Sequence, residues 1–119
     1  MKFLIFVILS FLLVCCSRKT CLNSVTVNRD SYKRYLIILE ESKHPHKLVM
    51  PKEVEEGMTF LEVVSGITSK AERNDNRTYK NKSDFKADIK LWKQWYKKNQ
   101  CKLTLHYIDS AFNSVGLKR

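Results

Sequence analysis

DFKADIKLWKQWYKKN, residues 84–99, decides the fold of this chain. Phe85, Ile89, Trp92 and Tyr96 recur at i, i+4, i+7 and i+11, one apolar stripe on a helix of 3.6 residues per turn. Leu91 and Trp95 widen that stripe. Lys86, Lys90, Lys93, Lys97 and Lys98 take much of the remaining surface, and the later ones suit the negative end of a helix dipole. Ser83 or Asp84 can cap the start. Trp92 and Tyr96 are expected in a core, because aromatic rings bury large areas. An interaction face is expected from Lys86, Lys90, Lys93, Trp95, Lys97 and Lys98.

Working upstream, residues 68–82 are polar around a single aromatic, Tyr79, and read as a surface loop. Before it, Pro51 opens a helix that Gly66 stops, with Glu53, Glu55 and Glu56 near the positive end of its dipole. Gly57 weakens that helix by about 1 kcal/mol relative to Ala. Asp30 or Ser31 starts another helix through about Ser42, with Tyr32, Tyr35, Leu36 and Leu39 at helical spacing. The run from Tyr35 to Leu39 also admits a strand, and Val25-Thr26-Val27 reads as a short extended piece. Downstream, Leu103-Thr104-Leu105-His106-Tyr107 alternates in the manner of a strand. The expected fold is mainly α, with α+β as the alternative: about three helices and one or two short strands.

The front of the chain carries an address. After Lys2, Phe3 to Val14 is apolar except for Ser10. That run is shorter than the ~20 residues a membrane-crossing helix needs, and has the length of a secretory h-region. Leu13-Val14-Cys15-Cys16 is similar to the lipobox of bacterial lipoproteins. The resemblance implies lipid on Cys16, with residues 1–15 as signal peptide, 16–30 as lipidated cysteine and tether, and 31–119 as the globular domain. An ordinary signal peptidase cutting after Cys16 or Ser17 is the other route, and gives a soluble periplasmic or extracellular protein. Cleavage before Cys16 leaves 104 of the 119 residues, room for one modest core and too few for a multidomain enzyme.

In the mature chain Cys21 and Cys101 remain. An oxidising compartment invites a disulfide between them, and two buried thiols are the alternative. The absence of a CxxC pair argues against zinc.

Formal charge is +10, and removing Lys2 leaves +9. Residues 40–62 hold six Glu against three Lys, whereas residues 70–102 hold eleven Lys or Arg against four acids, a local +7. Such a segment is drawn to anionic envelope surfaces or an acidic protein, with nucleic acid ranking behind. A lysine-rich surface that serves only solubility is the plainer reading.

Phe60 to Ile67 (FLEVVSGI), a polar loop, then Trp92-Lys93-Gln94-Trp95-Tyr96-Lys97-Lys98-Asn99 resembles a bacterial module with a Trp-x-x-Trp-[Tyr/Trp]-x-x-Asn helix. It occurs in exported and HEAT-repeat-associated proteins. Ser65 stands where that module usually has Thr. The resemblance implies a bacterial host and a structural or binding role, with no catalytic residue.

Chemistry-bearing motifs are sparse. His44-x-His46 has ligand-like spacing, but Pro45 intervenes and no third ligand is near in sequence. Cys21 or Cys101 with His106 is a conceivable nucleophilic pair, set against the disulfide reading. There is no GxSxG, HExxH, P-loop or dinucleotide fingerprint. The expectation is therefore a non-catalytic exported protein without cofactor or metal, anchored to the envelope membrane by lipid. The alternative is a soluble secreted inhibitor or immunity-like protein stapled by Cys21–Cys101.

Overall fold

In the computed structural model, Cys21 and residues 25–74 and 77–119 are described. The expected signal peptide, residues 1–15, and Cys16 lie outside these residues. Among the described residues four α-helices follow one another: α1 (Thr26–Glu41), α2 (Pro51–Ser65), α3 (Lys82–Asn99) and α4 (Leu105–Ser114), with a 3₁₀ turn (Gln100–Lys102) between the last two. The domain is mainly α, and no strand occurs among the described residues.

Each helix has a physical start and stop. Pro51 occupies the first turn of α2, where its missing N–H costs nothing. The Glu53 carboxylate there accepts from the Met50 N–H at 3.2 Å. Gly66 ends α2 in the left-handed region at φ +70°, and its N–H donates to the Glu62 carbonyl at 2.8 Å. Asn81, not Ser83 or Asp84, caps α3: its Oδ1 accepts from the Asp84 N–H at 2.9 Å.

Two expectations are corrected at the ends of the chain. Val25-Thr26-Val27 is not extended, and helix α1 begins inside the stretch assigned to the tether. Val25 is buried there, and the Asn28 amide donates to the Leu103 carbonyl at 2.9 Å, so tertiary contacts override the β-branched preference. Leu103 to Tyr107 is not a strand. Thr104 Oγ1 accepts from the Tyr107 N–H at 3.1 Å and starts α4, whose Ile108 and Phe112 are buried one turn apart.

The core gathers where the four helices meet. Tyr32 of α1 is its hub, stacked on Trp95 and Tyr96 of α3 with ring centroids 5.5 and 5.2 Å apart. It also lies edge-on to Phe60 of α2 at 6.3 Å. Its hydroxyl donates to the Trp92 carbonyl at 3.0 Å, which satisfies the one polar group that its burial would strand. Gly57 explains itself here: a Cβ on it would stand 3.1 Å from Tyr35 Cδ1, so its absence lets α2 approach α1. Tyr107 of α4 donates to the Val64 carbonyl at 2.9 Å, joining α4 to α2.

Cys21 and Cys101 form a disulfide with Cα atoms 5.0 Å apart, within ordinary bridging range. Arg29 supports the same end of the bundle, donating to Gln100 Oε1 at 2.6 Å and to Tyr96 Oη at 3.3 Å.

Candidate functional site: a lysine-lined groove

A depression of about 1150 Å³ runs beside α3. One wall is the face of α3 that carries Lys82, Lys86, Lys90, Lys93 and Lys97. The C-terminal end of α1 and the turn after it supply Glu40, Lys43 and His44 on the other side, and the segment before α3 adds Tyr79 and Lys80. Phe85 and Ile89 form the floor, though they are only 8% and 6% exposed. This arrangement follows from the sequence periodicity. The apolar stripe turns α3 inward, and the lysines one step around the helix are left on the rim of the depression.

Seven lysines and one acid line the groove, so its potential is strongly positive. Lys93 is paired with Glu40, and Lys80 with Glu72 at 3.1 Å. The Lys43 ammonium sits 5.0 Å from the Phe85 ring centre and 5.5 Å from that of Tyr79, which is cation–π range. Lys82, Lys86, Lys90 and Lys97 have no carboxylate partner among the described residues. These four, with Lys43 across the groove, carry the charge of the site that no carboxylate offsets.

The expected interaction face is thus divided. Lys86, Lys90, Lys93 and Lys97 come together on the groove. Lys98 is exposed outside it, and Trp95 turns the other way, between Tyr32 and Tyr107 in the packing of the core. The rest of the Trp-x-x-Trp-Tyr-x-x-Asn pattern is also packing: Trp92 Nε1 donates to the Ile67 carbonyl at 3.4 Å, and the Asn99 amide to the Trp95 carbonyl at 3.0 Å.

The segment after α2 holds a polar cluster that periodicity does not reveal. Asp88 is fully buried on α3, and its Oδ2 accepts from Tyr79 Oη–H and from the Lys70 N–H, both at 2.7 Å. This fixes Tyr79 as a wall of the groove. Burial, then the bond to the Asp88 carboxylate, pushes the Tyr79 phenol well above its ordinary range. Next to it, the Glu62 carboxylate accepts from the Ser69 N–H at 2.8 Å and pairs with the Arg77 guanidinium at 2.7 Å. The signal available in the sequence was Asp88 itself, an acid on the flank of an apolar stripe.

Burial alone would raise the Glu62 carboxyl, but the bonds from Ser69 and Arg77 outweigh it and hold the group below the ordinary glutamate range. A depressed folded-state value gives stability that is fully present above the unfolded value, about 4.3, and is lost as pH falls through the folded value. Glu62→Gln should therefore lower the thermal midpoint at pH 7 and flatten its fall between pH 5 and pH 3. Melting curves of both proteins across that range test this; parallel curves would remove Glu62 from the acid response.

His44, His46 and His106 are all exposed, and no group of three or more His, Cys, Asp or Glu suited to a metal occurs among the described residues. Cys21 and Cys101 are bonded to one another, so neither is a thiol nucleophile for His106 in this state. No protein-family model, curated protein or solved structure matches the chain.

Proposed function

We propose that this is an exported bacterial domain, anchored by lipid on Cys16, that binds an anionic envelope component through the lysine face of α3 and performs no catalysis itself. The groove carries this reading: four lysines of α3 without acidic partners share one depression, and the apolar side of the same helix is already spent on the core. Export is supported by the Phe3–Val14 run and the lipobox-like Leu13-Val14-Cys15-Cys16, and by a disulfide, a bond suited to oxidising compartments. The non-catalytic reading rests on the lack of any recognisable catalytic motif in the sequence. The disulfide equally favours a second reading, a soluble secreted inhibitor or immunity-like protein with the same face.

Two measurements test the proposal. The intact mass of the mature protein from its native membrane fraction should fit an acylated chain beginning at Cys16; an unacylated chain beginning at Cys16, Ser17 or Arg18 selects the soluble reading. Binding to vesicles of anionic phospholipid should fall at least tenfold in the triple variant Lys86→Glu, Lys90→Glu, Lys97→Glu. Lys93 is left alone because Glu40 already neutralises it. Unchanged binding in the triple variant would remove the basic face as the site.

A further inference from the structure

The charge in the groove is spread along its length. Lys86, Lys90, Lys93 and Lys97 recur at i, i+4, i+7 and i+11, so they form one row over about 16 Å of helix. Lys82 extends the row by a further turn. A single-headed amphiphile has its charge at one end and would leave most of this row uncompensated. The row is matched by a ligand whose negative charges repeat along its length, at intervals near one helical turn, about 5.4 Å.

The surroundings narrow the ligand further. No arginine lines the groove, so its charges are the point-like ammonium groups of lysine and not planar guanidinium forks. A lysine ammonium is a rotatable point charge, a common partner of phosphate oxygens. Nucleic acid bases, or the rings of a polyuronic sugar, would need a free aromatic face. The Tyr79 and Phe85 rings are instead occupied by the Lys43 ammonium and by one another, at 5.3 Å edge to face.

We propose that the groove takes a linear phosphodiester polymer of a small alcohol, without bases, laid along α3 with its phosphates on Lys82, Lys86, Lys90 and Lys97. This rests on the anionic-ligand reading of the lysine face and specifies the ligand class for it.

The test is calorimetric titration of the full chain, disulfide intact and in non-ionic detergent, with poly(glycerol phosphate). Monomeric glycerol phosphate, polyglutamate and oligothymidylate are the comparison probes, and anionic vesicles are run in parallel. The polymer should bind at least a hundredfold more tightly than the monomer, and more tightly than either other polyanion. Four neutralised phosphates, with the coefficient known for single strands, should weaken it about 50-fold between 50 and 200 mM salt. The variants Lys86→Glu/Lys90→Glu/Lys97→Glu and Lys86→Gln/Lys90→Gln/Lys97→Gln should each lose the polymer while keeping the parent's melting temperature; the glutamine set covers misfolding of the charge reversal. Equal or tighter binding of polyglutamate or oligothymidylate overturns the proposal, as does polymer binding that survives both variants. Vesicle binding without polymer binding rejects this ligand class alone. Binding of no anionic probe rejects the anionic-ligand reading beneath it.

Discussion

Trp92→Ala should destabilise the domain by about 4 kcal/mol, the range for removing a fully buried large aromatic ring. Trp92 has no exposed surface, and its indole N–H reaches the Ile67 carbonyl just beyond the end of α2. Its removal opens a cavity between α3 and the segment leaving α2, and strands that carbonyl. Trp95→Ala should cost about half as much. Trp95 is only partly buried, and most of its contribution comes from its stacks on Tyr32 and Tyr107. Urea unfolding followed by circular dichroism separates the two. A smaller loss at Trp92 than at Trp95 would mean that the core is centred elsewhere. Ligand binding should survive Trp95→Ala in the folded protein, because that ring does not line the groove.

Removing the disulfide should have an effect of similar size. The bridge closes a sequence separation of 80 residues, and the chain-entropy model gives about 4 to 5 kcal/mol for a loop of that length. The double variant Cys21→Ser/Cys101→Ser avoids leaving an odd thiol. Its urea midpoint should fall sharply, and the parent should behave the same way once reductant is present. Amide exchange should quicken first around Asn28 and Arg29, where burial of Val25 and their side-chain bonds to Leu103, Tyr96 and Gln100 would then hold the start of α1. An unchanged midpoint would show that these contacts suffice without the bridge.

What could be read from the sequence depended on whether a signal was local. The stripe Phe85, Ile89, Trp92 and Tyr96 is periodic, and it specified both the buried side of α3 and, by exclusion, the lysine rim. Pro51 and Gly66 bracket α2 for reasons that lie within a few residues of each. The failures lie where distant contacts decide. Val25 to Val27 looks extended alone, but burial of Val25 and the Asn28–Leu103 bond make it the start of a helix. Alternation at Leu103 to Tyr107 hid a Thr104 cap, and the helical spacing of Ile108 and Phe112 was the better guide. Trp95 was expected on the interaction face because no local pattern shows that Tyr32 and Tyr107 converge on it. The groove itself was not legible, since its second wall comes from the far end of α1.

With lipid on Cys16, as proposed, the Cys21–Cys101 bond becomes a mooring. Five chain steps separate Cys16 from Cys21, a leash of at most about 18 Å. The domain would hang from the 3₁₀ turn that holds Cys101, just beyond the end of α3. Break the bond, and the first described residue buried beyond it is Val25, nine chain steps from Cys16, a span of at most about 32 Å. A change in thiol–disulfide balance would then lengthen the reach between bilayer and domain by up to about 14 Å, with no residue of the groove altered.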